Sequence, residues 1–145
     1  MASSKEMGPN DADIVRCFVR TVGGLSSESA LPYNAPFEIV VEVEAGSAIF
    51  GTGAQFAAGV VVRDLSDCTC LPAPAAGANT PNIGVSDNMS GANWNTQVAR
   101  FLYTVAAPGP TKENHIWEVL AFLRVNVVNP DMSFCRSDLF IITRP

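Results

Sequence analysis

Phe37-Glu38-Ile39-Val40-Val41-Glu42-Val43-Glu44-Ala45 decides the fold class. Phe37, Ile39, Val41, Val43 and Ala45 fall on one side of an extended chain. Glu38, Val40, Glu42 and Glu44 fall on the other. A period of two puts one face in a core and the other toward water, as in an antiparallel sheet. No helical period of 3.6 fits these residues.

The alternation recurs on both sides of this stretch. Residues 14–22 set Val15, Cys17, Val19 and Thr21 against Ile14, Arg16, Phe18, Arg20 and Val22. Further strands are expected over 55–65, 98–105, 115–128 and 134–143, with a short edge strand at 82–86. Glycine and proline fall between the apolar runs and act as punctuation. Leu31–Pro36 leads rigidly into the Phe37 strand, and Ala107-Pro108-Gly109-Pro110 separates two strands. Asn129-Pro130-Asp131 joins the last two as a hairpin. A single helical turn at 26–30 is the only helix expected. The pattern predicts an all-β, antiparallel two-sheet Greek-key sandwich of about seven strands. Residues 1–13 are expected to be a flexible polar leader and 14–145 one domain.

Composition fits a packed domain. Of the 145 residues, 48% are hydrophobic and 16% charged, which argues against disorder. No apolar run reaches the roughly 20 residues that span a bilayer. The amino end carries Lys5, Glu6, Asp11 and Asp13 and shows no signal-peptide pattern, so a soluble, cytoplasmic protein is expected. The net charge of −5 and the lack of a basic stripe disfavour nucleic acid and anionic membranes as partners.

Candidate chemistry is sparse. His115 is the only histidine, so any Ser-His-Asp or Cys-His centre has to use it. Its plain reading is a residue at the start of a strand. Cys68 and Cys70 form a C-x-C pair, the weak metal candidates of this chain, but a zinc site needs about four ligands and no second pair accompanies them. Cys17 and Cys135 sit in the first and last strands, where they can lie close together or simply pack as small apolar residues. The glutamates of the Phe37 strand lack calcium-loop spacing. They are expected to pair across strands with Arg16, Arg20, Arg63, Arg100 and Arg124. No cofactor motif is present, and no cofactor is expected.

Two features point to binding. Residues 69–95 are rich in Pro, Gly, Ala and Asn and read as a long inter-sheet loop, a place where function concentrates. Within it Trp94, flanked by Asn93 and Asn95, is the candidate partner-binding group, for a protein or a glycan, its plainer reading being a side chain folded back to cap the core. The strand from His115 is the second feature. Trp117, Val119, Ala121, Leu123, Val125 and Val127 form a core face, yet the opposite face carries Ile116, Leu120 and Phe122. Ile14, Phe18 and Val22 repeat that pattern on the first strand. Such a face is expected to be covered by the long loop or by a second subunit, with Ile116, Leu120, Phe122 and Phe18 as the oligomer interface.

Segment 33–43 and the closing stretch, Trp117-Glu118-Val119-Leu120-Ala121-Phe122-Leu123-Arg124-Val125, then Asn129-Pro130-Asp131, then Ser137-Asp138-Leu139-Phe140-Ile141-Ile142, resemble immunoglobulin-like accessory domains. The resemblance spans roughly two thirds of the chain at the level of fold. The cysteine pair and core tryptophan of antibody domains do not occur at matching places. The resemblance implies a domain that binds or scaffolds. The leading expectation is therefore a non-enzymatic, self-associating binding or structural module. The alternative is a small enzyme or ligand-binding protein with a pocket between the sheets or under the loop, lined by Arg20, Arg100, Tyr103 and His115.

Overall fold

The computed structural model describes residues 11–126 and 130–145. The described residues form eleven strands: β1 (Ala12–Thr21), β2 (Ala30–Pro32), β3 (Phe37–Ala45), β4 (Gln55–Asp64), β5 (Thr69–Cys70), β6 (Ala75–Ala76), β7 (Asp87–Asn88), β8 (Val98–Val105), β9 (Ile116–Val125), β10 (Asp131–Arg136) and β11 (Phe140–Thr143). One sheet has the order β1-β3-β8-β6. The other runs β2-β11-β9-β4-β5, with β10 also on β9 and β7 also on β4. Neighbouring strands are antiparallel except β2 and β11, which run parallel. This is an immunoglobulin-like sandwich.

The core lies between the sheets, and aromatic groups fill both of its ends. Phe37, Trp117 and Phe140 pack together with ring centroids 5.6–6.3 Å apart. Trp94 meets Phe56 and Phe101 edge-on at 4.9 and 5.8 Å. Ile14, Ile39, Val43, Val119, Leu123 and Ile142 fill the space between and are fully buried.

The strand count exceeds the expected seven for three reasons, the first being β2, which forms from residues read as a turn and pairs with β11. The long loop contributes the two-residue strands β5, β6 and β7, each pinned to a longer neighbour. The last strand is interrupted at residues 137–139, so both β10 and β11 lie along the same side of β9. The edge strand expected at 82–86 does not form, although Gly84 N–H donates to the Ala58 carbonyl at 3.0 Å. A five-residue helix, Ser47–Gly51, follows β3, and no helical turn forms at 26–30. No helix among the described residues is long and apolar enough to cross a membrane. The antiparallel pairing of β9 and β10 agrees with the expected hairpin, but part of its turn, 127–129, lies outside the described residues, as does most of the expected leader.

β1 corrects the simple alternation. It starts at Ala12, and its pairing with β3 shifts register between Ile14 and Arg16. The extra residue, Val15, bulges outward, so Ile14 turns into the core together with Cys17 and Val19. One inserted residue reverses the faces of everything before it.

Candidate functional site

The outward faces of the two sheets differ. On the four-stranded sheet the cross-strand rows alternate in character. Arg16 and Arg100 flank Glu42 at 2.5 and 2.6 Å, and Arg20 pairs with Glu38 at 2.6 Å. Between those rows lie Phe18, Val40 and Leu102, in register across three strands. Val40 is fully buried there, and the Arg16 guanidinium covers the Phe18 ring at 4.6 Å. These are the expected Arg–Glu ladders, and they shield the apolar row, burying Val40 and leaving Phe18 and Leu102 half-buried. Arg16 and Arg100 also hold the Glu42 carboxyl below its usual value, outweighing the upward push of burial.

The larger sheet is not sealed in this way. Phe134, Phe122 and Gly59 form one row across β10, β9 and β4, and Leu120 is opposite Val61 in the next. Phe134 is 66% exposed, Met132 46% and Val61 37%. Leu120 and Phe122 are half-buried. Phe122 lies down over Gly59, where a Cβ would stand 2.7 Å from its ring and from Ile83 of the long loop. The loop thus covers the Gly59 end of the patch and leaves the β10 end open. Below it the Glu118 carboxylate is buried between Arg63 and Arg136, at 3.7 and 3.3 Å.

Several sequence expectations are corrected here. Phe18 and Phe122 belong to opposite outer faces of the sandwich and cannot share one contiguous interface with Ile116 and Leu120. Trp94 is fully buried and its indole N–H donates to the Gln97 carbonyl at 3.2 Å, so it anchors the loop and offers nothing to a partner. Asn93 is tied down as well, donating to Asp87 at 2.7 Å, while Asn95 is exposed. Arg124 donates to Ser86 at 3.1 Å rather than pairing with a glutamate. The residues of the enzyme alternative do not converge. Arg20 and Arg100 lie on the outer face of the first sheet, Tyr103 is buried with its hydroxyl aimed at the Pro81 carbonyl at 3.4 Å, and His115 sits at the end of the second sheet. Burial raises the Tyr103 hydroxyl further above its ordinary value, keeping it protonated.

His115 belongs to a cluster that sequence reading misses. Its Nδ1 is 2.7 Å from Asp64, whose side chain is fully buried. Asp64 also accepts from the Asp67 N–H at 3.1 Å and lies 3.4 Å from the Lys112 ammonium, which is 2.8 Å from Asp67. Burial pushes the Asp64 carboxyl up, but the bonds from His115 and Asp67 outweigh it and hold the group below its usual value. Asp64, Asp67 and His115 are the group of potential metal ligands that converges among the described residues. The lysine already places a positive charge between the two carboxylates, which makes the cluster a clamp between the end of β4 with the turn after it and the loop before β9. Cys68 and Cys70 stand outside it, exposed, with the Cys68 thiol directed at the Leu65 carbonyl at 3.8 Å. The pairing of β4 with β9 brings Asp64 and His115 together across 51 residues, and no local motif announces it.

The sheets meet along one side where β1 passes β10. Ile14 N–H donates to Ser133 Oγ at 3.1 Å, and Ser133 bonds the buried Asp13. Beside them a groove of about 420 Å³ opens, lined by Cys17, Val19, Glu28, Cys135 and Ser137 among others. Cys17 and Cys135 are both buried, and the Cys17 thiol is 3.5 Å from the Cys135 carbonyl. The close pair that their strands allow is thus present.

Against known proteins, the chain matches no protein-family profile and no curated protein. It is similar in structure to a family 123 glycoside hydrolase from Clostridium perfringens, with a TM-score of 0.52 and 6% identity, over 89% of this chain. The chain spans only 27% of that enzyme's length. It is also similar to AggA, the major subunit of aggregative adherence fimbriae type I from Escherichia coli (TM-score 0.47, 10% identity, 96% of this chain and 100% of that one). A PapD-like domain of human CEP192 aligns with a TM-score of 0.42 and 9% identity, over 100% of this chain and 94% of that one. At 6% identity the likeness to the hydrolase speaks to fold alone, and what it supports is the β-sandwich already described.

Proposed function

We propose that this domain is a non-enzymatic structural or binding module that associates with a second copy of itself through the outer face of the larger sheet. The observation that carries this reading is the exposed apolar patch of Phe134, Met132 and Val61 beside half-buried Phe122 and Leu120. Burying one large apolar side chain is worth roughly 1.5–3 kcal/mol. A two-fold contact uses each patch residue twice, so a few such groups supply a weak to moderate dimer. The opposite outer face, roofed by ion pairs, gives no comparable surface. Phe18 is therefore left out of the proposed interface, and Phe134 takes its place.

The rest of the reading concerns the loop. Its exposed stretches, including Asn95, are left for a protein or glycan partner, while Trp94 holds it to the core. Light scattering of the full chain tests the association. Phe134→Glu is expected to abolish concentration-dependent growth in mass, and Leu25→Glu, at an isolated residue 98% exposed elsewhere, to leave it unchanged. A wild type that stays strictly monomeric at high concentration contradicts the proposal.

A further inference from the structure

We propose that Cys17 and Cys135 form an inter-sheet dithiol that a low-molecular-weight disulfide, entering through the edge groove, converts into a disulfide that staples β1 to β10.

Three observations converge on this pair. The residues lie 118 positions apart, on the edge strands of different sheets, and the fold alone brings them together. The Cys17 thiol donates to the Cys135 backbone carbonyl at 3.5 Å, so the two residues are already neighbours. Both line the open groove, which gives a small reagent a route to otherwise buried sulfurs. The close approach of the two residues, added to burial, pushes the Cys17 thiol up, while Cys17 beside it holds the Cys135 thiol down. Cys135 is thus the better source of thiolate, the species that attacks a disulfide.

The chemistry balances as two exchanges. The Cys135 thiolate attacks one sulfur of the external disulfide, forms a mixed disulfide and releases one small thiolate. That thiolate takes up the Cys17 proton. The Cys17 thiolate then attacks the Cys135 sulfur, closes the protein disulfide and expels the second small thiolate, which picks up a proton from water. The two protein thiols are oxidised, and one external disulfide is reduced to two thiols.

The closed loop is long, and cross-linking it removes much of the freedom of the unfolded chain. In the chain-entropy picture a loop of this order raises the folding equilibrium constant roughly 3,000-fold. The staple also fixes the two edges that form the groove.

The test uses the full chain carrying Cys68→Ser and Cys70→Ser, so that the exposed thiols do not react. It is incubated with glutathione disulfide under native conditions, then quenched and unfolded. Expected are a mass lower by two hydrogens, a peptide joining Cys17 to Cys135, no retained glutathione, and a denaturation midpoint above that of the reduced protein. Two free thiols titrated after unfolding would overturn the proposal, and so would glutathione persisting on either cysteine.

Discussion

Truncating Trp94 to alanine is expected to strip the long loop of its anchor. The side chain is fully buried, meets Phe56 at 4.9 Å and Phe101 at 5.8 Å, and donates its indole N–H to Gln97 at 3.2 Å. A tryptophan of this kind buries up to roughly 250 Å². At about 25 cal/mol per Å² that is an upper limit near 6 kcal/mol. Partial collapse of the site lowers the loss, and measured truncations of this type cost about 3–5 kcal/mol. Against a total stability of about 5–15 kcal/mol the variant loses a large share. Urea unfolding followed by far-UV circular dichroism reads the change directly, with the midpoint falling and the slope preserved. The protein has two tryptophans, and Trp117 is also buried, so native wild-type fluorescence should be that of two shielded indoles. A loss below about 1 kcal/mol, or a native spectrum typical of a water-exposed indole, would refute the placement of Trp94 in the core.

Other expectations follow from the same geometry. Asp64→Asn removes the charge that faces His115 and Lys112 and should cost about 2–3 kcal/mol near neutral pH by urea unfolding. The folded-state value of Asp64 is lowered, so its contribution is full above the usual carboxylate range and lost as pH falls through the lowered value. The gap between wild type and variant should therefore narrow below about pH 4, and a gap that widened there would contradict the clamp. Gly59→Ala sets a methyl group 2.7 Å from the Phe122 ring and Ile83. A loss of about 1–3 kcal/mol is expected; a neutral effect would mean that the ring and the loop do not lie on that glycine.

The fold was largely legible because alternation is local. The Phe37–Ala45 pattern needs no knowledge of its neighbours, and it reappears as β3 with Glu38 and Glu42 paired across the sheet. What failed to be legible depends on register or on distance. The bulge at Val15 reverses the faces of the start of β1, up to Ile14, and leaves no clear mark in the residues themselves. Phe18 and Phe122 look alike as outward apolar residues, and only the strand order puts them on opposite faces. Trp94 sits among asparagines and reads either as a partner contact or as a cap on the core, and only the apolar end of the core at Phe56 and Phe101 decides for the second. The Asp64–His115 contact needs β4 and β9 paired before it can be seen. For Cys17 and Cys135 the strand pattern allows either a close pair or plain core packing, and only the passage of β1 beside β10 brings the two together.

Amide hydrogen exchange of the wild-type chain at low and high concentration tests the association face most directly. Protection in residues 120–124 and 132–136 should rise with concentration, while protection on β1, β3 and β8 stays unchanged. Exchange that is independent of concentration in both stretches would contradict a larger sheet whose outer face is built for a second copy.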